Sequence, residues 1–509
     1  MKMSREYSAC NTYGVFDMTP AKAANSKSIL SIDPSPQFDL SPFLYMQFME
    51  PLGTTDSSVE AGWDFFRNCW REDLLATTKE LAPPMIRWGG CFSSYYDWKE
   101  AVGPRAQRTP VLNLSWGGME TNQIGTHEFH DFCTIAGAEP LLCVNMESDG
   151  KPYYSRYPDS TSRKRNAREA AEWVDYCNNP DNAERRKNGF KNPLHVQYWQ
   201  LGNETSYGEE GVTCFDYETA LKKSIDFSKA MRHRDPSIKL IGWGDSGWAS
   251  RLIHDAGEHI EYIAFHHHFN SGLKNSPLKS SEYRKDPDRT WHHLMNAWKS
   301  TDQRLREIKE EMGRNPLPLA LTESHFALGG RNRCEVLSSW AAGVANARIL
   351  NVHERHGDVL KIATLADFFG NRWMVNALII PTPKSRGGTY MMPVARVMAL
   401  YRKYSGRQAL RLLSVPDGLD VTASRSGNKI FLHVVNTQRT NFVRARLHIQ
   451  NLHCTSASAY EICEDPEREI DDSCPELFKT VQRSVPPSLQ WSFPAASVTA
   501  LVLEVTSAS

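Results

Sequence analysis

The sequence predicts an α/β protein, a (β/α)8 TIM barrel followed by an all-β sandwich. Three observations carry this. Between Pro42 and about residue 380, eight short apolar runs alternate with helical stretches. After Ser405-Gly406 the texture changes to short strands separated by turns. Two of the apolar runs end in a carboxylate, Asn203-Glu204 after YWQLG and Glu323 after Leu321-Thr322.

In chain order, residues 1–27 are polar and mixed, and Ser28–Asp33 reads as a short strand. The eight barrel strands are Phe43–Glu50, Met85–Gly89, Pro140–Met146, Val196–Gly202, Lys239–Trp243, Tyr262–Phe269, Leu317–Thr322 and Val359–Asp367. They are apolar on both faces, as parallel strands covered by helices must be. Helices fall between them. Gly62–Leu81 aligns Phe65, Phe66, Trp70, Leu74, Leu75 and Leu81 on one face. Thr126–Ala136 opens with a Thr cap and an acid behind it. Ala167–Tyr176, Tyr217–Arg232, Thr290–Met312 and Cys334–His353 follow. A doubly wound open sheet is the rival, but no GxGxxG follows a strand. Residues 371–390 form a Pro- and Gly-containing loop before a helix over Met392–Tyr404. The later strands are Leu410–Val415, Leu419–Ser424, Lys429–Asn436, Val443–Ile449, Ala457–Ile462 and Ala496–Val505. Gly427-Asn428-Lys429 marks a turn between two of them. Residues 463–480, with seven acids, read as a solvated loop.

A chain of 509 residues is too long for one small core, so one large and one smaller domain are expected. Lys+Arg and Asp+Glu are both 59, and this balance gives no long-range field for nucleic acid or an anionic membrane. The 11 cysteines are an odd number without a CxxC pattern. Cys133, Cys143 and Cys177 fall inside strands or helices, where a reduced thiol acts as a small hydrophobe. A reducing, cytoplasmic location is the expectation, since the N-terminus also lacks an apolar signal core. No run of about 18 apolar residues exists to span a membrane. The 14 tryptophans suit either a large core or sugar platforms; Trp88, Trp98, Trp116, Trp243 and Trp373 stay open between the two.

Chemistry in such a barrel sits at the C-terminal ends of the strands. Glu50, Arg87, Asn145, Asn203-Glu204, His266 to His268, Glu323 and Asp367 lie there. Carboxylates after the fourth and seventh strands face each other across the mouth, which is what retaining glycoside hydrolysis needs. One must be protonated to help the leaving group depart and the other ionised to attack. Arg87 is the cation to hold one of them ionised. Alternation puts His266 and His268 on one face and His267 on the other. Two histidines plus Glu323 would suit zinc, but retaining chemistry needs no metal, so no cofactor is expected.

The segments RWGGCFSSYYDW (87–98), GPRAQR (103–108), ETNQIGTHEFHDFC (120–133), GAEPLLCVN (137–145), YWQLGNE (198–204) and LTESH (321–325) resemble the α-L-arabinofuranosidases of glycoside hydrolase family 51. The resemblance runs from about Ser28 to the sandwich. It implies Glu204 as acid/base, Glu323 as nucleophile and Asn203 on the sugar 2-hydroxyl. It implies Glu50, Arg87 and His266 as further site residues, with Trp116, Glu120 and Asn122 in a loop that shapes the cleft. It also implies that residues 1–38 lend a strand to the sandwich, with the barrel over 39–390 and the sandwich over 391–509. Four positions depart from the family pattern. Arg87-Trp88-Gly89-Gly90 lacks the usual proline, Cys91 stands for asparagine, His268 for tyrosine, and Trp373 for glutamine. These residues grip the sugar, so β-D-galactofuranose and a xylose-type ring stay open beside arabinofuranose. A sugar-binding protein without catalysis is the alternative class. The expected partner is a glycoside or short oligosaccharide, and the resemblance adds a homo-oligomer.

Overall fold

The computed structural model describes residues 28–57, 59–147, 163–207, 215–314, 316–328 and 333–507. Strand β1 spans Ile29–Asp39. The parallel strands that follow are β2 (Gln47–Met49), β3 (Met85–Trp88), β4 (Glu139–Val144), β5 (Tyr198–Leu201), β6 (Lys239–Trp243), β7 (Tyr262–His266), β8 (Leu319–Glu323) and β9 (Leu360–Ala363). After them come β10 (Asp367–Gly370), β11 (Asn376–Ile379) and β12 (Tyr390–Met391). One sheet joins them in the order β9-β8-β7-β6-β5-β4-β3-β2-β10-β11-β12. It curls: the Met46 N–H, just before β2, donates to the Ala363 carbonyl at the end of β9 over 2.9 Å. The predicted strand Val359–Asp367 is broken into β9, on β8, and β10, on β2. Met46, Met85, Leu141, Ile241, Ala264, Ala320 and Ile362 form a separate buried cluster, fed by successive strands as a curled parallel sheet requires.

The helices follow the predicted alternation with local differences. The helix placed over 62–81 covers only Glu72–Leu81. Before it, Trp63–Asp64 and Cys69–Trp70 pair as a hairpin. Asp64 Oδ1 accepts the Phe66 and Arg67 N–H groups, an Asx turn that competes with helix. Phe65 and Phe66, placed on one face of that helix with Trp70 and Leu74, are 53% and 103% exposed. The long helix over 290–312 is two, Pro287–Asn296 and Trp298–Met312. Cys334–His353 becomes Trp340–Arg355, with a 3-10 turn before it. Thr126 starts its helix rather than capping it: Gly125 is the cap, and its N–H donates to Glu128 Oε2 at 3.0 Å.

The C-terminal strands form one continuous nine-stranded sheet around its own core of Leu30, Ile32, Ile430, Leu432, Leu447 and Leu501. The early strand takes part. β1 runs antiparallel to Gln408–Ser414 and parallel to Val443–Ile449. Ser426 pairs with Lys429 around Gly427, the predicted turn. The acidic stretch 463–480 is not simply a solvated loop. The carbonyls of Arg468 and Pro466 accept the Trp340 and Ala341 N–H groups, covering the N-terminus of the 340–355 helix. Ile470 and Phe478 are buried, and Phe478 stacks on Trp340. The seven acids masked these two apolar anchors.

Between the two sheets Glu354 is a buried knot. It accepts from the Tyr45 hydroxyl at 2.6 Å and from Thr422, and it faces His433 Nδ1 at 2.8 Å. Removing this carboxylate strands three buried partners. Glu354→Ala is expected to cost about 3–5 kcal/mol, read as a lower denaturation midpoint.

Candidate active site

The parallel strands deliver their C-terminal ends to one side. Glu50 follows β2, Arg87 lies in β3, Gln200 in β5, Asn203 and Glu204 just past β5, His266 closes β7 and Glu323 closes β8. Arg87 is fully buried and spends its donors on three of these. Nε donates to Gln200 Oε1 at 2.8 Å, Nη1 to Glu323 Oε1 at 2.8 Å, and Nη2 to Asn203 Oδ1 at 2.5 Å. The two glycines after it make room. A Cβ on Gly89 would sit 2.7 Å from the Arg87 guanidinium carbon, and one on Gly90 2.2 Å from Glu50 Oε2.

His266 bridges the two central carboxylates. Its Nδ1 is 3.0 Å from Glu204 Oε1 and 3.6 Å from Glu323 Oε2, and its Nε2 is 3.0 Å from Thr322 Oγ1. Ligand atoms of Glu204, His266 and Glu323 all lie within 4.8 Å of one another. Glu204 adopts φ 50°, a left-handed conformation that costs about 1–2 kcal/mol for a residue with a Cβ. Such strain needs surrounding structure to hold it.

The charges around the pair are unequal. Burial pushes the Glu204 carboxyl up to about 7; Arg87 opposes this and Asp245 adds to it. Glu323 instead receives the direct Arg87 bond. Burial draws the His266 imidazole down to about 4, against the pull of Glu323, so it is neutral at pH 7. Glu50 is raised by burial and by the Glu323 charge, although Cys91 N–H and Trp116 Nε1 donate to its Oε1 at 2.8 and 2.9 Å. Asp367 is held well above the usual carboxylate range by burial and by Glu50 and Glu323.

The remaining predicted residues fall into two groups. Cys91 and Trp116 meet at Glu50, as above. His268 packs on His325, ring centres 4.4 Å apart, and Trp373 packs on the same ring at 5.3 Å. Asn122 stands apart. Its Nδ2 reaches only the Thr109 carbonyl, at 3.5 Å, and it lines a separate cavity with Glu120 and Tyr96. Trp88, Trp98 and Trp243 are buried, which gives them to the core. His267 turns away to Ser300 at 3.0 Å, as alternation required. Of a metal-ligand set, Glu204 rather than His268 joins His266 and Glu323.

Sequence reasoning missed Asn113, Gln200 and Asp245. Asn113 receives the Tyr95 hydroxyl at 3.0 Å and the Trp116 N–H at 2.8 Å, and it donates to Glu120 at 2.8 Å, so it builds the loop that carries Trp116. Gln200 could have been found, because it is a polar residue on the inward face of an otherwise apolar strand. Asp245 stands in a Gly-Asp-Ser-Gly turn that reads as an ordinary loop.

The chain is similar to several known proteins. The family model described as Alpha-L-arabinofuranosidase 1 domain matches residues 77–287, a span that ends before Glu323. Alpha-L-arabinofuranosidase C of Emericella nidulans is 40% identical over 185 residues, 35% of this chain and 33% of that protein. The intracellular exo-alpha-(1->5)-L-arabinofuranosidase of Halalkalibacterium halodurans is 30% identical over 244 residues, 45% of each chain. The alignments thus span only about a third to a half of the curated relatives. In three dimensions, the alpha-L-arabinofuranosidase of Thermotoga maritima, solved with arabinose, superposes with a TM-score of 0.76 at 24% identity. That superposition covers 94% of this chain and all of the other. The chain is therefore α-L-arabinofuranosidase-like, with the fold of glycoside hydrolase family 51.

Proposed function

We propose that this protein is a retaining exo-glycosidase that releases terminal furanosyl residues, α-L-arabinofuranosyl in the first place. The observation that carries the reading is the carboxylate pair with unequal surroundings. Oxygens of Glu204 and Glu323 lie within 4.8 Å. So close an approach of one oxygen from each favours the short carboxyl separation of about 5–5.5 Å used with a covalent intermediate over the roughly 6.5–9.5 Å that leaves room for a water. Glu204 holds its proton near neutrality, whereas Glu323 is bound to Arg87. In this reading Glu323 attacks the anomeric carbon as Glu204 gives its proton to the departing oxygen. The glycosyl ester on Glu323 is then cleaved by water, which loses a proton to the Glu204 carboxylate. A sugar acceptor in place of water would give transglycosylation by the same steps.

The curled eleven-stranded sheet is read here as the (β/α)8 barrel over 39–390, and the nine-stranded sheet as the sandwich over 391–509 with residues 1–38 added. In this reading Glu50, Arg87, Cys91, Trp116, Asn203 and His266 bind the sugar, together with His268 and Trp373, which pack on His325. Asn122 belongs to the supporting loop. A glycoside or short oligosaccharide is the partner. Among the described residues no helix is long and apolar enough to cross a membrane.

The test is a panel of 4-nitrophenyl glycosides: α-L-arabinofuranoside, β-D-galactofuranoside, β-D-xyloside and β-D-glucoside. Release from the arabinofuranoside supports the proposal. Release only from another sugar would assign the changed specificity to the departures at Cys91, His268 and Trp373. No release from any would favour a sugar-binding protein. A pH profile adds a second check. Only protonated Glu204 can donate, and its raised value keeps the proton up to about pH 7. So kcat/KM is expected to fall on the alkaline side of about 7, tenfold per unit. On an oligosaccharide, whose leaving group needs the proton, a rate that stays flat to pH 9 would remove Glu204 as the acid.

A further inference from the structure

We propose that Asp245 is a positioning residue for the acid/base, pinning the turn that carries Glu204 to the ends of β6 and β7. The inference rests on the functional reading above. It starts from the turn itself. Glu204 sits in a left-handed conformation, and the Tyr207 N–H donates back to the Glu204 carbonyl at 3.0 Å. Three bonds then tie this turn to the end of β6 and the segment after it. The Tyr207 hydroxyl donates to Asp245 Oδ2 at 2.7 Å. Trp243 Nε1 donates to Ser206 Oγ at 2.7 Å, and Ser206 Oγ meets Ser246 Oγ at 2.9 Å. The Tyr207 ring also stands edge-on to Trp243, 5.4 Å away.

Asp245 reaches the other neighbour of Glu204 as well. Its Oδ2 accepts the backbone N–H of His266 at 3.3 Å, and His266 Nδ1 is the group beside Glu204 Oε1. One buried carboxylate therefore touches both the turn bearing the acid and the strand bearing its imidazole partner. Oδ1 is held by the Ser246 N–H at 2.6 Å and by Arg304 from the 298–312 helix.

The charges facing these groups divide by sign. Glu204 is faced by Arg87, His266 and Glu323 from inside the sheet and by Asp245 from the turn after β6. Asp245 is faced by Arg304, which Glu307 also approaches at 3.8 Å, by Tyr207, and by His267 beside Arg304. Asp245 favours the protonated acid, and Arg304 moderates Asp245. The two should therefore act on Glu204 in opposite directions.

The experiment compares kcat/KM against pH for Asp245→Asn and Arg304→Gln with wild type, using a glycoside of a poor leaving group. Asp245→Asn is expected to move the alkaline limb to lower pH, and Arg304→Gln to move it higher. A shift of one unit is a tenfold change in rate on that limb. A purely structural role would lower rate or melting temperature without moving the limb in opposite senses. An unmoved limb in either folded variant, or shifts of the same sign, overturns the proposal. If Asp245→Asn does not fold, Arg304→Gln decides by the sign of its shift. The Glu204 titration can also be read without turnover, from the infrared difference between the protein and Glu204→Gln. Opposite shifts there support the positioning role even if every glycoside proves inert, which would sink the functional reading alone.

Discussion

Glu323→Ala is expected to abolish turnover of every glycoside that the wild type accepts, by on the order of 10⁴- to 10⁶-fold in kcat. The carboxylate is at the end of β8 with one oxygen on Arg87 and the other turned to His266. No other described carboxylate combines that direct guanidinium bond with a place beside Glu204. Glu50 and Asp367 are held toward their protonated forms and are poor nucleophiles near neutrality. The loss should appear equally with activated and poor leaving groups, because attack on the anomeric carbon is needed for both. One complication follows from the burial of Arg87. Truncating Glu323 takes from that guanidinium its directly bonded carboxylate and leaves the neutral acceptors Gln200 and Asn203, a costly state for a buried charge. Glu323→Gln keeps an oxygen toward Arg87 and should also be inactive with less loss of stability. Residual activity within about tenfold of wild type in a folded variant would remove Glu323 from the reaction.

How much of this site was legible in the sequence depends on what each residue needed from the fold. Glu204, Glu323 and Arg87 could be found because strand ends are marked by an abrupt change from apolar to polar, and parallel strands bring such ends together. Gln200, a polar residue within an apolar strand, left a trace of the same kind, but its bond to Arg87 did not. The hairpin at 63–70 was not. Its aromatic residues fit a helical face by spacing, and the side-chain bonds of Asp64 that break the helix leave no periodic trace. The division of β9 from β10 was hidden for a related reason. Ala363 to Asp367 is apolar enough to read as one strand, yet the two halves pair with different neighbours. The docking of residues 466–478 on the 340–355 helix uses backbone carbonyls, which any sequence can supply. Asn113 and Asp245 work by supporting other residues, and support of that kind depends on contacts between loops that sequence spacing does not encode.

Glu204→Ala is expected to separate substrates by their leaving groups. A proton given to the departing oxygen matters when the aglycone is a sugar alkoxide, and hardly matters for 4-nitrophenolate, which leaves as a stable anion. On an oligosaccharide the loss should reach about 10²- to 10⁴-fold in kcat/KM. On the aryl glycoside kcat/KM should fall far less, since it reports glycosylation of Glu323. The second half of the reaction then becomes slow, because water has lost its general base. The aryl substrate should therefore show a burst of nitrophenolate followed by a low steady rate, and KM should fall as the glycosyl ester accumulates. Azide needs no base to attack that ester, so it should restore the steady rate and yield a glycosyl azide of retained configuration. The alkaline limb near pH 7 should disappear with the side chain, since the group that titrates there is gone. Equal losses on both substrates, with no burst and no response to azide, would place the proton transfer elsewhere. Because His266 would then be the nearest titratable neighbour of the pair, the same measurements on His266→Asn would show whether it had taken that role.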